Sequence, residues 1–328
     1  MGPSKLGRGA LITVFGGSGF VGRHTVRALA RQGYRVRAAV RRPDLAGHLQ
    51  PMGNVGQIHA VQANVRYPDS VRAAVEGADA VVNLVAVASP SGRQTFDAVH
   101  IKGAAAVARA TADAGVPRLI HMSALGADPK ATADFARSRG LGEKAVRDAF
   151  EDAIILRPSV VFGPEDDFFN RFGGMAAAFS FLPLIGGGKT RFQPVFVGDV
   201  AESIRNACAG AGAPGTVYEI GGPEAFTFRQ LMERTREWTG RESSYLHMPF
   251  ALAKLLAVMT WPLPNAVRPI TVDQVRMLQR DCVLSQEAIE EGRLIEALGV
   301  TNPQSISAVV PAYLERFRPR GQFSHYRG

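Results

Sequence analysis

The sequence predicts an α/β protein built on a doubly wound parallel sheet, with a smaller mixed lobe at its C-terminal end. Short β-branched runs alternate with amphipathic segments through the first part of the chain. Several of these runs are apolar at every position, as strands are when helices cover both faces of a parallel sheet. The first run leads directly into a cluster of glycines and then into a helical segment. Alternation of this kind predicts a layered α/β architecture.

The predicted elements follow one another in strict order. The strand candidates are short runs rich in Val, Ile and Ala: Leu11–Phe15, Arg35–Val40, Gly56–Val61, Ala80–Val85, Arg118–Met122 and Ala153–Leu156. The helix candidates carry apolar residues at helical spacing: His24–Arg31, Ser70–Glu76, Gln94–Ala114 and Phe135–Phe150. After Arg157, Gly and Pro become frequent and the alternation is lost. We therefore predict a sheet domain over residues 1–164 and a smaller lobe and tail over 165–328, parts of which return to the main sheet.

Composition excludes several classes of protein. The chain has 328 residues, of which 46% are hydrophobic and 20% charged, so it is neither disordered nor fibrous. Two cysteines, Cys208 and Cys282, cannot form a disulfide framework, and no CxxC or HExxH spacing indicates a metal site. These features predict a reducing compartment.

The chain is basic, with 38 Lys and Arg against 29 Asp and Glu, a net charge of +9. No nucleic-acid-binding motif accompanies this charge, so we predict no nucleic-acid partner. A basic surface equally suits an anionic cofactor, an acidic partner or an anionic membrane. The basic residues cluster only near the C-terminus, at Arg316, Arg318, Arg320 and Arg327.

The longest apolar stretch is Leu246–Leu263, which contains Lys254 and several prolines. It falls short of the ~20 residues that a membrane-spanning helix needs. Two interpretations remain open: a buried core helix of the second lobe, or a face that contacts a partner or the lipid surface. No targeting segment is visible at the N-terminus.

The glycine cluster has the spacing of a dinucleotide-binding turn. Gly16, Gly19 and Gly22 lie between the first predicted strand and the first predicted helix. Glycines at this spacing permit a tight turn and let the backbone approach a pyrophosphate, which the helix N-terminus then binds. In this context the motif predicts a dinucleotide site.

The end of the second strand indicates which dinucleotide binds. A site for NAD places an acidic residue there, against the ribose 2′-hydroxyl. This strand is followed instead by Arg41 and Arg42, and the first acidic residue is Asp44. Because a guanidinium suits a 2′-phosphate, we predict a preference for NADP(H) over NAD(H). The alternative is that both arginines only solvate the end of the strand.

Longer motifs resemble the extended and atypical short-chain dehydrogenase/reductase superfamily, which has a Rossmann fold. They are Asn83-Leu84-Val85, His121-Met122-Ser123 and the run from Arg157 to Gly163. The resemblance implies further contacts with the cofactor, from Ser18, Phe20, Asn64, Val65, Leu84, Val85, Met122, Ser123, Pro158 and Val160.

That superfamily transfers a proton through a Tyr-x-x-x-Lys pair, often within the pattern YxxSKxxGE. The segment from Phe135 to Glu143 aligns with this pattern without a gap, and Ser138, Gly142 and Glu143 match it. Phe135 stands at the Tyr position and Arg139 at the Lys position. Because Phe has no proton to give, the resemblance implies no acid–base catalysis here. Arg139 is still expected to bind ribose hydroxyls.

Two stretches are similar to a narrower family, the NADPH-binding accessory subunit of respiratory complex I (NADH:ubiquinone oxidoreductase). They are Leu49–Gln57 and Gly142–Phe172, with Gln193–Val197 in addition. The resemblance implies a cofactor held structurally, other complex I subunits as partners, and a place on the peripheral arm, near the membrane and the region where quinone enters. We expect the cytoplasmic side of a bacterial inner membrane, or the matrix face in a mitochondrion. The alternatives are a free-standing NAD(P)H-dependent reductase or epimerase and, less strongly, a cofactor-sensing regulator.

Overall fold

The computed structural model describes residues 6–260 and 270–319. Its strands, in chain order, are β1 Leu11–Phe15, β2 Arg35–Val40, β3 Ile58–Gln62, β4 Ala80–Asn83, β5 Leu119–Met122, β6 Ile154–Pro158, β7 Val161–Phe162, β8 Phe181–Ile185, β9 Arg191–Phe192, β10 Val195–Phe196, β11 Val217–Ile220, β12 Phe226–Thr227 and β13 Ser244–Met248. Its α-helices are α1 Phe20–Arg31, α2 Pro68–Val75, α3 Lys102–Asp113, α4 Asp134–Ala149, α5 Phe169–Ala178, α6 Val197–Ala209, α7 Phe228–Thr239, α8 Phe250–Met259, α9 Val272–Met277, α10 Gln286–Glu290 and α11 Ile306–Leu314. A π-helical turn, Asp97–Ile101, leads into α3.

The chain divides into two compact units. The first consists of Met1–Pro158, Val197–Ile220 and Ser285–Thr301, and the second consists of Ser159–Phe196, Gly221–Leu284 and Asn302–Gly328. The first segment thus ends at Pro158, whereas we predicted a boundary after residue 164. Of the two later segments, Val197–Ile220 joins the first unit because it contains β11, which pairs with β6. Ser285–Thr301 follows β11 into this unit, and the N–H of Ser285 donates to the Glu219 carboxylate at 2.7 Å.

The described part of the first unit contains one seven-stranded sheet in the order β3-β2-β1-β4-β5-β6-β11. All six pairings in it are parallel. The predicted doubly wound parallel sheet is therefore confirmed. Strands β1 and β2 have the predicted limits, and the other predicted strands shift by a few residues. We did not predict β11, because this short run follows a segment rich in Gly and Pro that carries no periodic signal.

The middle of the sheet is sealed from water on both faces. Val14, Val82 and Ile120 have no exposed surface, and helices pack on each side. This burial explains why the strands read as continuous apolar runs and not as alternating ones.

Helix α4 is fixed against the sheet by a buried ion pair and by close glycine packing. Both carboxylate oxygens of Glu143 accept hydrogen bonds from Arg157 of β6, at 2.9 and 2.6 Å. The Glu143 side chain is 2% exposed and that of Arg157 is 24% exposed. One residue earlier, a Cβ on Gly142 would lie 2.2 Å from the carbonyl oxygen of His100. These contacts set the position of every side chain that α4 presents at the carboxyl edge of the sheet.

The second unit is held together by aromatic packing and short strand pairs. Strands β7 and β10 pair in parallel, as do β8 and β13, whereas β9 and β12 are antiparallel. Its core includes Phe162, Phe169, Phe228 and Trp238, with edge-on ring contacts such as Phe162 to Phe169 at 6.1 Å. Edge-on pairs of this kind stabilise a core beyond simple area burial.

The apolar stretch 246–263 is not the buried core helix that was one of our two interpretations. Its first residues form part of β13, residues 250–259 form α8, and 261–263 lie outside the described residues. Helix α8 buries only Ala253 and Ala257. Four of its larger side chains, Leu252, Leu255, Val258 and Met259, are between 51% and 72% exposed. Phe250 and Leu256 are partly buried. Among the residues that the structure describes, no helix combines the length and hydrophobicity needed to cross a bilayer.

The basic cluster near the C-terminus is only partly described. Arg316 donates to the side-chain oxygen of Asn170 at 2.5 Å, and Arg318 donates to the carbonyl oxygen of Trp238 at 3.1 Å. Arg320 and Arg327 lie outside the described residues. The two described arginines therefore tie the end of α11 and the residues after it to the rest of the second unit.

The Glu143–Arg157 pair yields a stability prediction. Changing Glu143→Gln should lower the free energy of unfolding by about 3 kcal/mol, because it leaves a mostly buried guanidinium without its carboxylate. The neighbouring Lys144→Gln removes an exposed pair with Asp148 and should change it by less than about 1 kcal/mol. Urea denaturation followed by circular dichroism measures both. Equal effects of the two changes would contradict a structural role for the pair.

Candidate functional site

The turn after β1 is so tight that only glycine fits at its two ends. Gly16 has a positive φ of 79° and donates its N–H to the carbonyl of Ala39 at 3.0 Å. A Cβ on Gly16 would lie 3.3 Å from the backbone of Leu84. A Cβ on Gly22 would lie 2.1 Å from the carbonyl oxygen of Gly16. Helix α1 can approach the turn this closely because neither position has a side chain.

The N-terminus of α1 is suited to binding an anion. Gly19 is the N-cap, no side chain caps the helix, and its first turn has no acidic residue. The first N–H groups of a helix and its dipole then favour a bound negative charge, such as a pyrophosphate. Phe20 begins the helix and makes an edge-on contact with His24, with ring centres 6.0 Å apart.

A pocket of about 220 Å³ opens beside this turn, at the carboxyl ends of the strands. Of the residues we predicted to bind the cofactor, the pocket is lined by Gly16, Ser18, Gly19, Arg41, Asn64, Val65, Leu84 and Val85. The other predicted contacts lie outside its wall: Phe20, Gly22, Arg42, Met122, Ser123, Arg139, Pro158 and Val160. Val160 belongs to the second unit, where its carbonyl accepts the N–H of Val195 at 3.0 Å.

The two arginines after β2 have different surroundings. Arg41 lines the pocket and donates to the side-chain oxygen of Gln94. Arg42 makes two hydrogen bonds to the carboxylate of Asp44, at 3.0 and 2.6 Å, and does not line the pocket. The lining residues include no Asp or Glu. Of these two arginines, Arg41 is therefore the one that a 2′-phosphate in this pocket would meet.

Sequence reasoning missed two polar residues of the pocket wall, Arg66 and Gln94. The backbone N–H and the Nε of Arg66 donate to the side-chain oxygen of Asn64, at 3.1 and 3.3 Å, and its Nη1 donates to the carbonyl of Arg93. Arg66 could have been found, because it directly follows the predicted contacts Asn64 and Val65. Gln94 lies in an irregular segment well after β4, and the sequence gives no signal for it.

The carboxyl ends of β5 and β6 carry the remaining predicted contacts. Ser123 follows β5 and donates its N–H to the carbonyl of Leu156 at 2.7 Å, while Pro158 ends β6 and accepts the N–H of Leu125 at 2.9 Å. Met122 is 8% exposed. The Ser123 hydroxyl is buried, and the described residues offer it no hydrogen-bond partner. A buried hydroxyl of this kind is a group that a ligand would satisfy.

Two buried histidines lie close to this edge and are structural. The N–H of Val87 donates to Nε2 of His100 at 3.1 Å, so Nδ1 carries the proton and donates to the Ser138 hydroxyl at 2.9 Å. That hydroxyl donates in turn to the carbonyl of Phe135 at 2.8 Å. Nδ1 of His121 accepts from the side-chain amide of Asn83 at 3.2 Å.

Both ring nitrogens of His100 and the hydroxyl proton of Ser138 are therefore used in hydrogen bonds within the protein. Burial, with a smaller contribution from Arg139, lowers the pKa of both His100 and His121 to about 3. Both rings are therefore neutral at pH 7, and neither can act as a proton donor near neutral pH.

Phe135 and Arg139 lie side by side on α4. The Phe135 ring packs edge-on against Phe96 and His100, with ring centres 6.0 and 5.6 Å away, so an apolar ring fills the tyrosine position. The Arg139 guanidinium lies 5.6 Å from the Phe135 ring centre. Arg139 is 3% exposed, and no described residue offers a hydrogen-bond partner to its Nε or Nη1. Burial lowers the pKa of Arg139 to about 10, opposed by the nearby Glu143, so it stays charged at pH 7.

The residues present fit a dinucleotide cofactor. The glycine turn and the uncapped helix would hold the pyrophosphate, and Arg41 would meet a 2′-phosphate. Ser123 and Arg139 supply buried donors without partners, which a polar ligand would satisfy. No group of three His, Cys, Asp or Glu side chains suited to a metal ion occurs in the described ranges.

Comparisons with known proteins agree with this geometry. Residues 16–161 match a family described as NAD(P)H-binding. The chain is 35% identical over 297 residues to the mitochondrial NADH dehydrogenase (ubiquinone) 1 alpha subcomplex subunit 9 of Arabidopsis thaliana, covering 86% of this chain and 73% of that protein. The Rattus norvegicus protein of the same name is 39% identical over 228 residues, which cover 69% of this chain and 60% of the rat protein.

A solved structure confirms the fold. The chain superimposes on an NADPH-dependent quinone oxidoreductase of Escherichia coli, crystallised with NADPH, with a TM-score of 0.72. The match covers 92% of this chain and 99% of the oxidoreductase at 20% sequence identity, a level that supports a shared fold and no more.

Proposed function

This chain belongs to the family of the NADH dehydrogenase (ubiquinone) 1 alpha subcomplex subunit 9. From that membership we propose that it is an NADPH-binding accessory subunit of a respiratory complex I and transfers no hydride itself. Its partners are then other subunits of the peripheral arm, near the membrane and the region where quinone enters. The observation that carries the proposal is a glycine turn and an uncapped helix N-terminus suited to a dinucleotide, combined with Phe135 at the position where a proton donor would be needed.

The cofactor has a structural role in this proposal. When bound, NADPH supplies many hydrogen-bonding and charged groups along the carboxyl edge of the sheet, while the residues of this chain only bind and orient it. The turn at Gly16 and the N-terminus of α1 hold the pyrophosphate, and Ser123 and Arg139 donate to the ribose at the nicotinamide end. Ser138 and His100 cannot replace the missing tyrosine, because their hydrogen bonds are used within the protein.

The exposed face of α8 supports a contact outside this chain. Leu252, Leu255 and Val258 are each more than half exposed, a cost that burial against another surface would remove. No acidic residue occurs between Glu242 and Asp273, so this part of the chain suits an anionic membrane surface. We assign the subunit to the side of the membrane that carries the peripheral arm, which is the cytoplasmic side in a bacterium.

Purified protein should not turn NADPH over with quinones or carbonyl compounds. Loss of a general acid–base group typically costs ~10²–10⁴-fold in rate. Steady-state absorbance at the nicotinamide band measures the rate, with the double change Phe135→Tyr and Arg139→Lys tested beside the wild type. A wild-type rate of roughly 1 s⁻¹ or more would favour the free-standing reductase instead.

Arg41 should determine the choice between NADPH and NADH. Losing a charge-assisted phosphate contact costs on the order of 1.5–3 kcal/mol, so Arg41→Ala should weaken NADPH binding by about tenfold or more and leave NADH unchanged. Arg42→Ala is the matched control, since Arg42 pairs with Asp44, and should change the affinity by no more than about twofold. Calorimetry with both cofactors is the measurement. Equal affinity of the wild type for NADPH and NADH would refute the preference.

The protein should migrate with complex I on native gels of solubilised membranes, as identified by mass spectrometry of the bands. Leu252→Ser combined with Leu255→Ser should release a large part of it, because the change makes the exposed face of α8 polar. Ile289→Ser, an equally exposed residue of the first unit, is the control and should have no effect. If the wild type never migrates with the complex at low salt, the assignment is wrong. If the wild type migrates with the complex and the α8 variant does so equally well, the α8 contact is wrong and the assignment to the complex stands.

A further inference from the structure

Arg139 is a buried cation that forms no ion pair with any described residue. It lies at the end of the proposed site where we place the nicotinamide. We propose that this guanidinium makes the site selective for the oxidation state of the cofactor, so that the protein binds NADPH more tightly than NADP⁺. The inference rests on the proposed cofactor-binding function and adds to it which redox form is held.

The strand order supports the position of the nicotinamide. In a doubly wound sheet a dinucleotide lies across the point where the strand order reverses, with one half over each set of strands. Here the order reverses between β1 and β4. The pocket that contains Arg41 lies at the ends of β1 to β4, which accounts for the adenosine half. The nicotinamide half is left for the ends of β5 and β6, where Ser123 and α4 are found.

The charge of Arg139 is not neutralised by its surroundings. The carboxylate that acts on it is Glu143, whose two oxygens already accept hydrogen bonds from Arg157. The other titratable groups that interact with Arg139 are His100 and His121, which are neutral at pH 7 because burial and Arg139 itself lower their pKa to about 3. Its Nε and Nη1 have no partner among the described residues. Arg139 therefore keeps its positive charge in a buried position, where it forms no ion pair with any described residue.

The nicotinamide ring is repelled by that charge in only one redox form of the cofactor. The nicotinamide ring carries a positive charge in NADP⁺ and none in NADPH, whereas the pyrophosphate and the 2′-phosphate are the same in both. Two like charges several ångströms apart repel strongly where the dielectric constant is low. The repulsion weakens NADP⁺ binding and leaves NADPH binding intact, and we expect at least about a tenfold difference in affinity.

Selective binding also changes the redox chemistry of the bound pair. Holding the reduced form about tenfold more tightly raises the midpoint potential of the two-electron couple by about 30 mV. The bound NADPH is then harder to oxidise than the free cofactor. This property suits a cofactor that is retained and not consumed.

Calorimetric titration of the full-length protein with NADPH and with NADP⁺ tests the inference. The wild type should prefer NADPH by about tenfold or more. Arg139→Met removes the charge and should bring the two affinities within about threefold, while Arg139→Lys keeps the charge and should keep most of the preference. Arg41→Ala is the matched control, because it should weaken both forms equally and leave their ratio unchanged.

The possible failures can be told apart. Equal wild-type affinities for NADPH and NADP⁺ overturn the inference and leave the proposed function intact, and this comparison needs no variant. A preference that is unchanged in folded Arg139→Met, checked by circular dichroism, also overturns it. Absence of binding of either form to the wild type contradicts the proposed function itself.

Discussion

The buried carboxylate of Glu143 accepts both hydrogen bonds that Arg157 offers from β6, and this pair fixes α4 against the sheet. Once α4 is fixed, Arg139 and Phe135 must lie at the carboxyl edge, since they are on the same helix about one and two turns before Glu143. The pair also occupies the carboxylate that could have neutralised Arg139. One ion pair thus positions the residues of the proposed nicotinamide end and leaves Arg139 without an ion pair of its own.

The two ends of the proposed cofactor site differ in what the chain provides there. At the pyrophosphate end, glycines at 16 and 22 let α1 pack closely against the turn, and no side chain caps the N-terminus of α1. At the nicotinamide end, a ring without an exchangeable proton stands beside a cation without a carboxylate partner. In the proposed site both ends contribute to binding, whereas acid–base chemistry would need a proton donor at the position of Phe135. This combination agrees with the proposed role, in which the cofactor is bound and no hydride is transferred.

The second unit supplies surface for contacts outside the chain. Its aromatic core is well packed, yet α8 leaves Leu252, Leu255, Val258 and Met259 exposed and buries only two alanines. A helix that leaves four large apolar side chains more than half exposed is unfavourable in water. The exposed face is what an accessory subunit would present to a partner or to the membrane, in agreement with the proposed function.

The sequence by itself determined the doubly wound sheet, the glycine turn and the loss of the tyrosine, because each is a local pattern of fixed spacing. It also predicted eight of the residues that line the pocket. Only the tertiary structure distinguished Arg41 from Arg42, since the difference is a hydrogen bond to Gln94 in one case and to Asp44 in the other. Only the structure showed that β11 belongs to the sheet, that four large apolar residues of α8 are exposed and that Arg139 forms no ion pair with a described residue. Each of these depends on which distant residues meet, and local periodicity carries no information about such contacts.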